Sequence, residues 1–366
     1  MASLLHLRDR YTGKQQWLWA LAGFIIFLLI WWGLAELFAI NRPVVDYTTH
    51  LNTQDTTLNR DSLLLQDSIN LANATEFEKI YPLLPPPQQV MKAFGPLQTE
   101  DDLFVNTWVS IWRNLQGYFW AVFFALLIGF PIALLPPVRA LFSMQVDALR
   151  YLPLTALTLI FIIWFGIGDS MKVAFLAFGI LVYLLPVVVQ RINEVDDVYL
   201  TTTFTLGANN WQMIKSVYFP AVLSKLMDDI RVLTAISWTY IIIAELLNRQ
   251  GGVGAMIWLN DKYGRMDKVF AWLIVIVVVG FLQDRLFVYM DKRLFPYKHY
   301  KTVVDGLKEV KTGFLVILIG IMLGLLLGAL IPALKPDLSY FLYIAAISGF
   351  VMILYGEFRF QRAYIS

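Results

Sequence analysis

Apolar residues along this chain come in long uninterrupted runs rather than in stripes separated by polar positions. A helix rises 1.5 Å per residue, so about 20 apolar residues are needed to cross the hydrocarbon of a bilayer. Eight stretches answer that description: 17–40, 115–135, 151–167, 173–190, 230–248, 269–289, 313–333 and 338–356. They predict an all-α fold, a polytopic transmembrane helix bundle. The fifth, IRVLTAISWTYIIIAELLN, carries Thr234, Ser237, Thr239 and Glu245. It is too polar to face lipid alone and belongs among its neighbours. The first run follows Arg8, Arg10 and Lys14 as the core of a secretion signal would. Such a core has roughly 7–15 apolar residues and a small-residue cleavage site, so this longer run reads as an uncleaved first span.

Basic residues are retained on the cytoplasmic side, which sets the orientation. The leader lies inside, and so does the stretch after the sixth span, with Lys292, Arg293, Lys298, Lys301, Lys308 and Lys311. The segment 249–268 runs against the rule, since eight crossings put its Arg249, Lys262, Arg265 and Lys268 outside. The longest connection, 41–114, is outside; its first part is acidic, with Asp46, Asp55, Asp61, Asp67, Glu76 and Glu78. Leu58, Leu63, Leu64, Leu65, Ile69 and Leu71 allow a short amphipathic helix there. Pro85 to Pro87 mark the end of this insert, because consecutive prolines favour an extended path. The chain divides into a leader and first span (1–40), an acidic outer insert (41–81), a membrane core (82–296), and a linker with two further spans (297–366).

Composition agrees with a membrane solvent: 58% of residues are hydrophobic and 15% charged. The net charge of +2 is scattered, which speaks against a nucleic-acid surface. There is no cysteine, which excludes disulfides, thiolate catalysis and cysteine-based metal clusters, and His6, His50 and His299 have no metal-ligand spacing. A phosphate-binding loop is not encoded: Lys215-Ser216 is preceded by Ile214 where glycine is required. Gly251-Gly252-Val253-Gly254 follows a span and reads as a tight turn. Within the spans the ionisable residues are read as Glu36 and Glu245, both near outer ends, with no Lys or Arg mid-span. Two isolated glutamates do not make a hydrolase, so no enzyme is expected. Gly320, Gly324 and Gly328 share one helix face, an interface read first as packing against the eighth span.

The polar connection 191–229 between the fourth and fifth spans is the most informative segment. It has two helix-like pieces, a turn at Gly207-Ala208-Asn209-Asn210, and Pro220 to break the second piece. Short surface helices exposing Thr, Asn, Gln and Lys beside Leu206, Trp211, Met213 and Ile214 suit docking onto a cytoplasmic partner. The stretch TTTFTLGANNWQMIKSVYFPAVLSKL resembles the coupling loop of ABC importer permeases, whose pattern is Glu-Ala-Ala, three residues, glycine, then a run ending near Ile-x-x-Pro. Gly207 and Pro220 fall on that pattern, and Thr201, Thr202 and Thr203 stand in the Glu-Ala-Ala positions. LLPPPQQVMKAF (83–94), the stretches 106–135 and 149–173, and AELLNRQGGVGAMIW (244–258) resemble the nitrate/sulfonate/taurine branch.

The resemblance covers about 82–296. It implies a six-span ABC importer permease core with two extra C-terminal spans, in the cell inner membrane. It further implies a homodimer around a central pathway, an outer solute-binding protein, and ABC ATPase subunits that bind ATP and Mg, with no cofactor on this chain. Each coupling loop, here Thr201, Thr202, Thr203, Leu206, Gly207, Ala208, Trp211 and Pro220, would sit on an ATPase subunit. The implied solute is small and anionic or zwitterionic, such as nitrate, a sulfonate, taurine or bicarbonate. Trp164, Trp238, Tyr240 and Glu245 are candidates to line its pathway. The alternative from another class is a channel or a scaffold that moves no solute.

Overall fold

The computed structural model describes residues 13–43, 77–247, 250–298, 306–331 and 335–365. In chain order, α1 (Gly13–Leu37) leads into β1 (Ile40–Pro43) and β2 (Phe77–Ile80), then α2 (Pro87–Glu100), α3 (Leu103–Leu134) and α4 (Pro136–Leu149). A 3-10 turn (Leu154–Leu157) precedes α5 (Thr158–Phe165), followed by α6 (Asp169–Asn193), α7 (Asp197–Thr205) and α8 (Asn210–Met213). The remaining helices are α9 (Phe219–Leu247), α10 (Val253–Lys262), α11 (Met266–Leu294), α12 (Leu307–Leu330) and α13 (Lys335–Ile365). Seven stretches among the described residues are long and apolar enough to cross a membrane, in α1, α3, α6, α9, α11, α12 and α13. The proposed helix at 58–71, most of the acidic insert and all three histidines lie outside the described residues.

The third span is not the single helix expected at 151–167. It is a bent pair, α4 and then 154–165, with 99° between its limbs. Pro153 has no N–H with which to carry a helix through, and Gly166, at φ +71°, ends α5. Taken together, the pair is long and apolar enough for a broken span or a re-entrant loop. Val146 of α4 packs on Leu185 near one end of α6, whereas Leu154 and Phe161 pack on Met171 and Phe175 near the other. Met171 and Leu185 are about 21 Å apart at 1.5 Å per residue, so the broken limb runs antiparallel to α6 over most of its length. With α4 exposing Leu141, Phe142 and Met144, the described residues hold seven helices long and apolar enough to cross a membrane, and eight only when this bent pair is taken as one span.

Three boundaries also shift. The second span begins at Leu103 and the fourth at Asp169, and α9 starts at Phe219, so the helices outrun their apolar runs. The expectation that Glu36 and Glu245 are the only ionisable residues in the spans is corrected: Arg113, Asp169 and Lys172 enter with the longer helices, and Arg231, Asp284 and Arg285 already lay within the runs 230–248 and 269–289. Pro220 does not break its helix. The preceding turn, Ile214–Tyr218, widens to a π-helix in which the Phe219 N–H donates to the Ile214 carbonyl, and α9 runs on.

One compact unit comprises the chain up to Leu103 together with Ile257–Leu273. Here the ends of the outer insert pair as antiparallel strands, Ile40 opposite Ile80 and Pro43 opposite Phe77. Glu36 at the end of α1 accepts from Lys79 and from Tyr81 Oη (3.2 Å), and Trp31 Nε1 donates to the Pro85 carbonyl (3.0 Å). The prolines at 85–87 give way to a helix, with Pro86 extended at the N-cap and Pro87 in the first turn, where a missing N–H costs nothing. Glu100 accepts from Arg265 (2.8 Å) and Lys268 (2.8 Å), and Asp101 from Lys268 (3.2 Å). Lys262 lies over the Trp258 ring.

The second unit holds Phe104–Met256 and the chain from Ile274. Its core is the contact of α3, α6 and α9, where Tyr118, Ala121, Ala125, Leu176, Ile180, Leu184, Leu226 and Ile241 are buried. Of the polar residues of the fifth span Thr234, Ser237 and Glu245 are buried and Thr239 is exposed: Asn114 Nδ2 donates to Ser237 Oγ (3.1 Å) and Tyr118 Oη to Thr234 Oγ1 (3.3 Å). The last two helices form an antiparallel hairpin with a seam of small residues. A Cβ on Gly320 would meet Ala345, one on Gly324 would meet Leu342, and Gly313 lies against the Gly349 carbonyl. The glycine face thus packs within the chain.

Candidate functional site

Residues 191–229 fold into a tight, solvent-exposed unit whose turn follows from the residue types. Asp196 caps α7 by accepting from Val198 N (2.9 Å). At the other end Gly207 N donates to Phe204 O (2.9 Å) and Ala208 N to Thr203 O (3.2 Å), the paired bonds of a Schellman cap. That cap needs a left-handed residue just past the helix, and Gly207 supplies it at φ +81°. Two residues on, Asn209 and Gln212 form a capping box that starts α8, with bonds of 2.8 and 2.9 Å. Leu206 (81% exposed) and Trp211 (70%) flank the turn, with Val198, Tyr199 and Phe204 also exposed. The hydroxyls of Thr201, Thr202 and Thr203 donate to the carbonyls of Asp197, Val198 and Tyr199, so the triplet closes on its own helix. Ala208 and Pro220 are half-buried behind this surface. The structure thus brings the eight loop candidates into one small region.

The loop is anchored at its base. Arg191 donates from two nitrogens to Asp229 (2.8 and 2.7 Å) and from a third to Glu194 (2.7 Å), and Lys225 donates to the Glu194 carbonyl (2.9 Å). Hydrogen bonds from Arg191 and then Gln190 hold the Glu194 carboxyl below the usual carboxylate range.

The four pathway candidates are dispersed. Trp164 is exposed on α5; Trp238 is buried and donates to Gln283 (2.9 Å); Tyr240 is half-buried against Phe175 and close to Gly179. Glu245 is fully buried at the end of α9, in a polar cluster that pattern reading missed. Arg113 Nη1 donates to Glu245 (2.8 Å) and the Gly251 carbonyl (2.9 Å), and its Nη2 to Asp169 (2.6 Å) and the Gln250 carbonyl (3.0 Å). Lys172, also buried, donates to the same Gln250 carbonyl (3.2 Å). Ser110 Oγ donates to Glu245 (2.8 Å) and accepts from Val253 N (2.9 Å), Asn106 accepts from Gly252 N (2.8 Å), and Glu245 accepts from Gly254 N (2.9 Å). The GGVG turn is thereby pinned between α3, α6 and α9. Gly252 has φ +99°, and a Cβ there would overlap the Glu245 carboxylate and the Arg113 guanidinium. Asn106, Ser110 and Arg113 recur at i, i+4 and i+7, one helix face, which is the signal that would have revealed the cluster.

The model of the binding-protein-dependent transport system inner membrane component family matches residues 107–296. Relatives include the taurine transport system permease protein TauC of Escherichia coli, 28% identical over 58% of this chain and 80% of that protein. The putative aliphatic sulfonates transport permease protein SsuC of Bacillus subtilis is 28% identical over 59% of this chain and 79% of its own. A solved structure of the MetNI methionine ABC transporter in inward-facing conformations aligns at 18% identity and TM-score 0.47, over 54% of this chain and 97% of that one. The family match takes in more than half of the 366 residues and both polar sites described above, and the chain belongs to the binding-protein-dependent transport system inner membrane components.

Proposed function

We propose that this chain is the permease subunit of an ATP-driven importer for a small sulfonate-like solute, with ATP and Mg bound and hydrolysed on separate subunits. The exposed turn carrying Leu206, Gly207 and Trp211 supports this reading most directly: two large apolar side chains sit in water on a rigidly capped loop whose base is ion-paired to the transmembrane helices. Such a loop is built to be covered by a partner and to pass its movement to α6 and α9. The ATPase subunit is the partner proposed, and alternating access by rigid-body rocking of paired permeases is the mechanism. The core is 82–296 with the coupling loop at 191–229, while 1–40, 41–81 and 297–366 are additions to it. Trp164 and Tyr240 contribute to the pathway, and Trp238 and Glu245 hold its walls from behind. The names of the taurine and aliphatic sulfonate permeases support a small anionic or zwitterionic solute, delivered by an outer binding protein.

The test is purification of the detergent-solubilised chain from its native membranes, wild type beside Gly207→Arg. Nothing lies within 4 Å of a Cβ at Gly207, so the side chain obstructs the docking face, and the strain of an arginine at φ +81° falls on the turn itself and not on the spans. An ATPase subunit is expected to co-purify with wild type and to be lost from the folded variant. Retention by both would refute the coupling assignment.

A further inference from the structure

We infer that the C-terminal hairpin α12–α13, which lies beyond the region matched by the family, positions the coupling loop, with Glu357 as the positioning residue; this rests on the coupling reading above. The last turns of α11 are gripped from two sides. Asp291 and Arg293 are two residues apart, about 200° around a helix, and so face opposite ways.

On the first side the chain is tied to the base of the coupling loop. Lys298 Nζ donates to the Ser224 carbonyl (2.6 Å), lies 3.3 Å from Asp228, and reaches back to Asp291 (3.2 Å). Tyr297 Oη donates to the carbonyl of Pro220 (3.3 Å), the proline of the loop pattern. Two turns earlier Arg231 Nε donates to Asp284 (2.9 Å).

On the second side the hairpin takes hold. Glu357 of α13 accepts from Tyr289 Oη (2.5 Å) and from Arg293 Nη2 (2.8 Å). The Arg293 guanidinium sits 4.0 Å from the Phe360 ring centroid, and Leu294 is buried with Val310, Phe314 and Ile353. A charged pair shielded in this way has one favoured geometry, because moving either partner strands a charge in apolar surroundings. Residues 289–298 are therefore a link whose position the hairpin fixes and the coupling loop reads. Packing against lipid alone would not call for a carboxylate on α13 aimed at this turn.

The chain has no cysteine, so Phe204→Cys and Leu286→Cys, both at exposed positions, give a unique pair of spin-label sites on the loop and on α11. The full chain purified with its ATPase subunit would be compared with Glu357→Gln, with the milder Tyr289→Phe, which keeps the ring against Phe314, and with Lys298→Met. Each is expected to broaden the 204–286 distance distribution and to lower ATPase retention roughly two- to five-fold. Glu357→Gln combined with Lys298→Met should be little worse than either alone, since both act through one turn. Wild-type distances and retention in Glu357→Gln and Tyr289→Phe, with at most a lower melting temperature, would overturn the proposal and reduce the hairpin to a structural addition. Gly207→Arg in the same series keeps the two readings apart. If it alone loses the ATPase, the positioning role fails and coupling stands; if it retains the ATPase, the coupling reading falls first.

Discussion

Arg113 donates to four acceptors from its two terminal nitrogens, while its buried Nε has no partner among the described residues. Its tie to Glu245 leaves neither charge free to neutralise a solute, so the cluster is a fastening for the outer ends of α3, α6 and α9. Removing one partner of a buried ion pair costs about 3–5 kcal/mol, whereas replacing both is milder. Glu245→Gln and Arg113→Met are accordingly expected to lower the thermal midpoint strongly as single variants, and the double variant to lose less than their sum. Scanning fluorimetry in detergent measures this, and strict additivity would argue that the two side chains act independently. Apart from the shared helix face of Asn106, Ser110 and Arg113, nothing short-range announces this cluster. Arg113 fell just outside the apolar run of its span, and its carboxylate partner lies 132 residues further on. Glu245 was noticed because a carboxylate in an apolar run is conspicuous; its partners stood at helix ends, where charges are common.

Elements were legible where the bilayer dictates them. A run of about 20 apolar residues has few alternatives to a span, which is why seven of the eight were placed in the right helices. Their ends were not legible, because α3 and α9 continue into polar surroundings once their hydrogen bonding is established, past the point where apolar residues stop. The broken third span was hidden for another reason: Pro153 and Gly166 interrupt the helix without interrupting the hydrophobicity. The turn at Gly207–Asn210 was legible, since a glycine followed by an asparagine with a glutamine three residues on is both a stop and a start signal, whereas the break expected at Pro220 is absent. The glycine face of α12 was equally plain, though its mates Gly313 and Gly349 were not singled out. At Gly313 a Cβ would approach the Gly349 carbonyl to 2.6 Å, whereas at Gly23 of α1 it would meet nothing within 4 Å. Gly313→Leu is therefore expected to cost at least about 1–3 kcal/mol by overpacking, and Gly23→Leu little. Melting curves of the two variants side by side provide the comparison.

For the whole molecule, the division of labour follows from where the chain carries its charges. The spans hold paired charges as fastenings, and the 191–229 connection presents exposed apolar side chains such as Leu206 and Trp211. The family match, 107–296, takes in both, and the last two helices lie beyond it. The two strands that close the outer insert bear on how the insert is tolerated. With Ile40 directly opposite Ile80, the chain departs and returns on a single rung of the ladder. The ladder, with the bonds of Glu36 to Lys79 and Tyr81 and of Trp31 to the Pro85 carbonyl, holds the ends of α1 and α2 together, and lengthening a loop closed in this way costs only about 0.6 kcal/mol per doubling. Replacing 44–76 with an Asn-Gly turn should leave the melting temperature of the purified chain nearly unchanged, and a loss of several degrees would show that the insert itself supports the fold. The rung acts as a socket: it closes the outer segment on itself, so a change of length there is absorbed at the ladder before it reaches α1 or α2.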